Sequence, residues 1–405
     1  MKKLAIITTH PIQYYAPLFQ LLALRGALAI KVFYTCYQSG GKIRDALFDR
    51  DITWDIPLLD GYDHVFVENT AAQPSSQTWS GIDNPTLTEE IQSWKADALL
   101  IFGWHHRSHF AAMRFFKNTI PLLFRGDSTL LDEKMGLRRI VRRVILTLLY
   151  RYVDYALYVG SANKEYYLKH GLSEKQLVYA PHAIDNERFH GSSYENQAVS
   201  WRLEHNISPS DFVILYAGKF EPRKNLLLLI SAFKKFSAKY GKRTKLLLVG
   251  NGPEEEKLKK DADGHADILF LPFQNQASMP MILRIGDLFC LPSKSETWGL
   301  VVNESLACGR PVLVSDKVGC GPDLIGDERV GAIFSCHSEE ELVEKMERMA
   351  RLSLQCTGRK DYLQDHIRAW SFASVCSAIE KTVSNHSSKI RKEKRQALTR
   401  SHKLQ

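Results

Sequence analysis

The chain has 405 residues, of which 44% are hydrophobic and 24% are charged, and its formal net charge is +9. This length exceeds one ordinary core and predicts two or three domains, and the composition excludes a disordered or fibrous chain. Residues 389–405 contain seven Lys or Arg and one Glu, which supply +6 of that charge, so the remainder is nearly neutral and no nucleic-acid partner is expected.

The cysteines and the apolar segments define the expected compartment. The seven cysteines are odd in number and include no C-x-x-C pair, which argues against a disulfide framework or a zinc site and favours a reducing environment. The apolar run at 4–7 is too short for a signal peptide, and no segment approaches the roughly 18 apolar residues of a membrane span. We therefore expect a cytoplasmic protein that can contact the inner face of an anionic membrane peripherally.

Short apolar runs alternate with helical patterns along most of the chain. In the first half these runs are residues 4–7, 98–102, 121–124 and 155–159. In the second half they are residues 212–216, 245–249, 268–271, 288–291 and 311–314. Continuous apolar runs of this length are typical of strands buried on both faces of a parallel sheet. The pattern predicts an α/β protein with two Rossmann-like, doubly wound domains that face each other across a cleft.

The alternation pauses in a polar stretch between about Ala183 and Ser210, which marks the domain junction. We expect a first domain at 1–190 and a second at 191–365. The helix expected at 366–384 can pack back on the first domain, and a basic, flexible tail is expected at 385–405. The segment from Gln38 to about Leu87 is long for a plain connection and is predicted to form a functional loop.

The strongest local motif is S-K-S-E-T-W-G-L-V-V-N-E-S at residues 293–305, between a predicted strand and a predicted helix. The backbone N–H groups that would open this helix belong to Trp298, Gly299, Leu300 and Val301. Unpaired donors at a helix N-terminus suit a pyrophosphate. Glu296 and Glu304 are placed to reach the cleft, where carboxylates accept hydrogen bonds from sugar and ribose hydroxyls. The alternative is that Glu296 caps the helix and Glu304 is a solvated helix residue.

A second motif, Y-A-G-K-F-E-P-R-K-N at residues 216–225, follows the first strand of the second half. Gly218 permits a tight strand exit, and Lys219 and Lys224 are separated by a short loop. Two cations at the carboxyl end of a strand can hold a diphosphate and stabilise it as a leaving group. The alternative is a solvated basic loop, but both motifs belong at the same edge of one sheet.

These motifs resemble family 4 of the retaining glycosyltransferases, the glycosyl transferases group 1, which have the two-domain GT-B fold. Glu296 and Glu304, with seven residues between them, match that family's signature. Gly218, Lys219 and Lys224 resemble its donor-phosphate loop, although an arginine is commoner where Lys219 stands. Two further loops resemble the family as well, and they contain Gly250 and Phe273.

The resemblance implies a role for each matching residue. Glu296 would contact the hydroxyls of the donor sugar and Glu304 the ribose, while Lys219 and Lys224 would hold the diphosphate. The backbone near Phe273 would contact the base. It further implies a nucleotide-diphosphate sugar as co-substrate, no other cofactor and no divalent metal. The acceptor would be a glycan or a lipid-linked molecule, in cell-surface polysaccharide or glycolipid synthesis.

The first half supplies candidate residues for catalysis and for the acceptor. Many members of the family have a histidine near the donor sugar, and either His105 or His106 can fill that place. His10 and Gln13 follow the first strand, and the remaining candidates on the acceptor side are Arg125 and Asp127. For the histidines, the alternative is a hydrogen-bonded structural role.

Residues 137–152 repeat apolar side chains at helical spacing, with four arginines on the other side. Such a helix can lie on anionic lipid, although it more often packs its apolar face on a core. Other functions remain as alternatives: a GT-B nucleotide-sugar epimerase, and a non-catalytic subunit that binds nucleotide sugar or supports an assembly. An NAD-dependent enzyme is set aside because residues 8–15 contain no glycine.

Overall fold

The computed structural model describes residues 1–36, 43–45, 50–52, 54–133, 136–240, 243–355 and 358–401. The strands of the first half are β1 (Lys2–Thr8), β2 (Leu28–Tyr34), β3 (Ile43–Asp45), β4 (Arg50–Ile52), β5 (Asp63–Phe66), β6 (Ala98–Phe102), β7 (Leu122–Arg125), β8 (Tyr155–Tyr158) and β9 (Leu177–Tyr179). Seven of them form one parallel sheet in the order β5-β2-β1-β6-β7-β8-β9, and β3 pairs with β4 in an antiparallel hairpin.

Helices cover both faces of this sheet. They are α1 (Ala16–Arg25), α2 (Leu87–Ser93), α3 (Arg107–Phe116), α4 (Leu137–Tyr150) and α5 (Ser161–Lys169), with 3-10 turns at Trp79–Gly81 and Glu174–Gln176. Two separate apolar clusters, one on each face of the sheet, form the first core. All five residues of β6 are buried, as expected for the central strand of a doubly wound sheet.

The second half forms a parallel sheet of six strands in the order β12-β11-β10-β13-β14-β15. These strands are β10 (Phe212–Ala217), β11 (Thr244–Val249), β12 (Ile268–Leu271), β13 (Leu288–Leu291), β14 (Val312–Ser315) and β15 (Gly331–Phe334). The helices are α6 (Asn186–His190), α7 (Ser193–Glu204), α8 (Leu226–Tyr240), α9 (Glu255–Ala262), α10 (Met279–Ile285), α11 (Leu300–Ala307), α12 (Gly321–Leu324), α13 (Glu339–Gln355), α14 (Arg359–Ile367) and α15 (Phe372–Ser401), with a 3-10 turn at Pro222–Lys224.

The predicted fold class is confirmed, since each half is a Rossmann-like α/β unit with a parallel sheet. All nine apolar runs that were predicted to be strands are strands. The carboxyl ends of β1, β6 and β7 in the first sheet face those of β10, β11 and β13 in the second. Loops at these ends therefore meet across a cleft, which is where ligands bind in open α/β sheets.

The chain passes from the first core to the second between Ala183 and Ile184, slightly before the expected boundary at residue 190. Two short helices, α6 and α7, occupy the polar stretch that follows. Phe189 of α6 and Ala198 of α7 are buried in the second core. A few buried apolar side chains thus order the polar stretch that the sequence identified as the domain junction.

The last helix, α15, returns to the first domain and packs against α1. Its buried residues Phe372, Val375, Cys376, Ile379 and Val383 join the first core. The helix then continues to Ser401, so the segment predicted to be a flexible tail is helical over most of its length. Its Lys, Arg, Glu, Gln and Ala residues have high helix propensity, which explains why the helix does not end with its packed portion. No helix of the described residues is long and apolar enough to cross a bilayer.

The packing of α15 generates the first testable prediction. Ile379 is fully buried between α15 and the first domain, so Ile379→Ala removes buried surface and leaves a cavity. We expect a loss of about 2–5 kcal/mol in the free energy of unfolding and a lower thermal unfolding midpoint. Differential scanning fluorimetry checks this. Lys381→Ala, at an exposed position two residues on, is the control and should not change the midpoint.

Candidate functional site

Two glycines shape the strand exits at the carboxyl edge of the second sheet. Gly218 follows β10 with φ 155°, and Gly250 follows β11 with φ 141°. A Cβ atom on Gly250 would overlap the carbonyl oxygen of Gly218. Glycine is needed at Gly250 for this close approach and for the positive φ. The segments that follow β10 and β11 therefore lie against each other, and the space beyond the carboxyl ends of these strands is open.

That space is a cavity of about 360 Å³ between the two domains. Its lining from the second domain includes Gly218, Lys219, Gly250, Phe273, Gln276, Val301 and Glu304. Its lining from the first domain comprises Gln13, Tyr14 and Trp54. The volume and the few convergent polar groups are typical of a small-molecule site. The structure thus brings together most of the residues that the sequence predicted to bind a nucleotide.

Glu304 lies on α11 at the wall of this cavity and is 2% exposed. Its Oε1 atom has no hydrogen-bond partner. Tyr14 of the first domain donates a hydrogen bond to this carboxyl group, and Arg188 lies close enough to interact with its charge. Burial nevertheless raises the pKa of Glu304 to about 7. A buried carboxylate oxygen without a donor is costly, and a ligand hydroxyl would offset that cost.

Glu296 forms an ion pair with Lys224, and both side chains are largely buried. The backbone of Glu296 is fixed by the neighbouring loop, since its N–H donates to the carbonyl of Lys317 (3.1 Å) and its carbonyl accepts from the N–H of Gly319 (3.0 Å). This carboxylate and this ammonium are the two groups that the sequence assigned to the sugar and to the diphosphate. In this structure they neutralise each other at the cleft.

The N-terminus of α11 lies where the sequence predicted it, with one correction. Gly299 is the N-cap with φ 95°, and the helix begins at Leu300. Trp298 therefore precedes the helix rather than opening it. Its side chain is buried, and its Nε1 donates to Asn303 (2.9 Å). The N–H groups of Leu300 and Val301 belong to the first turn and have no partner within the helix, as at any helix start.

Trp298 is part of the contact between the domains. Its ring packs against Gly160 after β8, where an added Cβ atom would overlap it. It also lies 5.8 Å from the ring of His182, measured between centroids. Asn303, which accepts from Trp298, donates to the carbonyl of His182 (3.2 Å). The tryptophan predicted from its backbone thus acts through its side chain, which holds α11 against the first domain.

Phe273 and Lys219 also line the cavity. The N–H of Phe273 donates to Oδ1 of Asn251 (2.8 Å), which fixes the loop after β12 next to the loop after β11. Lys219 follows Gly218 directly and lines the cavity. The roles predicted for them, contacts to the base near Phe273 and to the diphosphate at Lys219, stay predictions.

The candidate histidines lie outside the donor cavity. His105 lines a separate groove beside α4. His106 is buried and its ring lies 5.1 Å from that of His109, and burial lowers its pKa. Nδ1 of His10 lies 2.9 Å from the hydroxyl of Thr9. Burial and the nearby His106 lower the pKa of His10 to about 4, so His10 is neutral at neutral pH.

Arg125, Asp127 and Gln13, which were predicted for the acceptor side, lie in three different surroundings. Arg125 is buried and donates to the carbonyls of Ala180 (2.8 Å) and Pro181 (3.0 Å), which fixes the segment leading into the second domain. Asp127 accepts a hydrogen bond from the hydroxyl of Thr297 (2.9 Å) and so joins the two domains. Gln13 lines the donor cavity instead.

The structure adds residues that sequence reasoning missed. Tyr14 and Arg188 both approach Glu304, and Arg188 donates to Oε1 of Gln276 (2.9 Å) on the cavity wall. Trp54 lies in the long segment predicted to be functional, and the next residue, Asp55, accepts from the N–H of Ala277 at 3.1 Å. Residues 38–42, 46–49 and 53 of that segment lie outside the described residues. Among the described residues, no group of three or more His, Cys, Asp or Glu side chains is placed to hold a metal ion.

The raised pKa of Glu304 generates a prediction about stability. Its folded-state pKa of about 7 exceeds the model-peptide value of 4.5, so this group stabilises the fold below pH 4.5 and loses that contribution as the pH rises through 7. Glu304→Gln keeps the shape without the charge. We expect it to be more stable than the wild type at pH 8, by on the order of 3 kcal/mol, and nearly equal at pH 4.5.

Thermal unfolding at a series of pH values measures this difference. Glu296→Gln is the matched control, because it removes a carboxylate that is paired with Lys224 and should lower stability at pH 8. A Glu304→Gln protein with no stability gain at high pH would contradict the origin that we assign to the pKa shift.

Comparisons with known proteins show which family part of this chain resembles. Residues 200–361 match the family described as glycosyl transferases group 1. The sulfoquinovosyl transferase SQD2 of Arabidopsis thaliana is 28% identical over 206 residues, which are 50% of this chain and 39% of that protein. The D-inositol 3-phosphate glycosyltransferase of Segniliparus rotundus is 35% identical over 147 residues, 34% of this chain and 32% of that protein. The chain thus matches less than half the length of these relatives.

Solved structures match almost the whole chain. Sucrose-phosphate synthase from Thermosynechococcus elongatus superposes with a TM-score of 0.73 at 16% identity, over 96% of this chain and 100% of that one. Anabaena Alr3699/HepE in complex with UDP-glucose gives a TM-score of 0.69 at 15% identity, over 95% and 100% of the two chains. At these identities the likeness establishes the fold. Residues 200–361 are thus similar to the glycosyl transferases group 1, and the chain as a whole has the two-domain GT-B fold.

Proposed function

We propose that this protein is a retaining, metal-independent glycosyltransferase that moves a sugar from a nucleotide-diphosphate donor to a glycan or lipid-linked acceptor. The setting would be the cytoplasm, in cell-surface polysaccharide or glycolipid synthesis. The observation that carries the proposal is the buried Glu304, whose Oε1 has no hydrogen-bond partner and which lines the same cavity as Gly218, Lys219 and Gly250. A nucleotide ribose would supply the missing donor.

The remaining assignments use the other residues that line the cavity. With the ribose at Glu304, the base would extend towards Phe273 and the diphosphate towards Lys219 and the start of α11. The N–H groups of Leu300 and Val301 would donate to phosphate oxygens, since a helix N-terminus favours an anion. This arrangement stabilises negative charge on the departing diphosphate, which is the main electrostatic requirement of glycosyl transfer.

The ion pair between Lys224 and Glu296 would be exchanged when the donor binds. Lys224 would move its charge to the diphosphate, and Glu296 would then be available to accept hydrogen bonds from sugar hydroxyls. Before the donor arrives, each charge is neutralised by the other, which avoids leaving either one buried alone. No cofactor beyond the nucleotide-diphosphate sugar is needed for this scheme.

The comparisons support a nucleotide-sugar donor. One structural neighbour is described in complex with UDP and with UDP-glucose, and several relatives are named as glycosyltransferases. These names belong to those proteins, and they motivate UDP-sugars as the first donors to test. The acceptor and the sugar are the finer parts of the proposal.

Binding and turnover of a panel of nucleotide sugars in EDTA provide the test, with two variants that separate the roles. Lys224→Ala removes a charge-assisted contact to phosphate, so we expect it to weaken binding of the nucleoside diphosphate about tenfold to a hundredfold. Glu296→Ala should retain nucleoside diphosphate binding and lose sugar transfer or hydrolysis by at least about a hundredfold. Lys259→Ala, which breaks a surface pair with Glu255, is the control.

The outcomes distinguish the alternatives. Donor binding without turnover in the presence of candidate acceptors would favour a nucleotide-sugar-binding subunit. Conversion of the donor to its epimer without any acceptor would favour an epimerase. A strict requirement for a divalent metal, or equal behaviour of Lys224→Ala and Lys259→Ala, would overturn the assignment of the diphosphate site.

A further inference from the structure

Helix α4 presents its apolar side to solvent. Six of its large apolar side chains are between 49% and 76% exposed: Leu137, Ile140, Val141, Val144, Ile145 and Leu148. At 3.6 residues per turn these six share one side of the helix, over about 140° of its surface. The buried residues Leu146, Leu149 and Tyr150 lie on the opposite side and anchor the helix to the first core. The usual arrangement of an amphipathic surface helix is therefore reversed.

The charges on α4 are of one sign. The helix carries four arginines and no acidic residue. Arg139 and Arg143 lie on the protein side and contact Glu133 at 4.0 and 3.4 Å. Arg138 and Arg142 border the exposed apolar side and are themselves exposed. An apolar strip with cations along its edge matches the boundary between lipid chains and anionic headgroups.

Aromatic residues extend this surface beyond the helix. An apolar groove of about 540 Å³ separates α4 from the loop after β6 and is lined by Trp104 and His105 on one side and by Leu137, Val141 and Ile145 on the other. Trp79, which is 40% exposed, lies 6.4 Å from His105 between ring centroids. Tryptophan is enriched at the depth of lipid headgroups.

We propose that the exposed side of α4, with Trp79 and the groove at Trp104 and His105, docks on the surface of an anionic lipid bilayer. Contiguous exposed apolar surface of this kind marks an interaction site in a soluble domain. Anionic lipid supplies negative charge to the exposed Arg138 and Arg142, of which Arg142 also donates to the hydroxyl of Tyr166 (3.4 Å). A second copy of the chain is a poorer occupant, because a two-fold interface through this face would bring the arginines of both copies together.

Co-sedimentation with vesicles tests this docking surface. We expect the full chain to sediment with vesicles of phosphatidylcholine and phosphatidylglycerol and much less with phosphatidylcholine alone. The double variant Ile140→Ser, Val144→Ser should lower the partition coefficient about tenfold, and Arg138→Gln about fivefold. Both serine positions are exposed, so the thermal unfolding midpoint should not change.

The matched control is Val199→Ser with Leu203→Ser, which removes equally exposed apolar side chains from α7 of the second domain and should bind vesicles like the wild type. The basic residues at 389–405 are unchanged in every variant. Binding that survives in the α4 variant would therefore come from elsewhere and would overturn the proposal, as would no binding to anionic vesicles. Lipid-free self-association that the α4 variant abolishes would identify a dimer interface instead. The measurement needs neither donor nor acceptor, so its failure leaves the transferase proposal untouched.

Discussion

The buried carboxyl group of Glu304 is the constraint on which the cleft depends. A carboxylate that is 2% exposed loses most of its hydration, and in this structure only Tyr14 donates to it while Arg188 lies nearby. Burial consequently raises its pKa to about 7, and Oε1 has no partner. The fold retains a group that does not contribute its full stabilisation until something else binds. Such an imbalance is typical of ligand sites, because a core built for stability alone would satisfy or remove the charge.

Both domains contribute to the surroundings of Glu304 and to the position of α11. Tyr14 comes from the first domain and Glu304 from the second, so the hydrogen bond between them spans the cleft. Thr297 contacts Asp127, and Asn303 contacts His182, on either side of the same helix start. These two hydrogen bonds lie beside the buried side chain of Trp298. They fix α11 relative to the first domain, which places the first-turn N–H groups and Glu304 on one wall of one cavity.

The sequence predicted the second domain better than the first. Its apolar runs are continuous and were recognised as strands. The glycines after these strands and the motif with Glu296 and Glu304 could be placed at one edge of the sheet, because each follows a strand in the sequence. Strand β2 was missed because Lys31 interrupts its apolar run and its burial alternates, while β9 has only three residues. Tyr14 and Arg188 carry no local pattern, since each is polar or amphipathic and reaches Glu304 only through tertiary packing. The sequence predicted a role for the backbone N–H of Trp298, whereas the structure shows contacts made by its side chain. The helix start was placed too early because helix propensity does not locate the first residue of a helix to within one or two positions.

Helix α4 shows that the periodicity of a sequence does not determine which side of a helix faces the core. The repeat of apolar residues establishes that one side of the helix is apolar, but the same repeat is compatible with that side facing the core or facing out. The choice is made by Leu146, Leu149 and Tyr150, which fill the first core from the other side. The helix follows β7, so its first turn lies near the carboxyl edge of the first sheet. Trp104 and His105, which follow β6, lie at that same edge. The exposed apolar surface at Leu137 is therefore next to the loops that face the cleft.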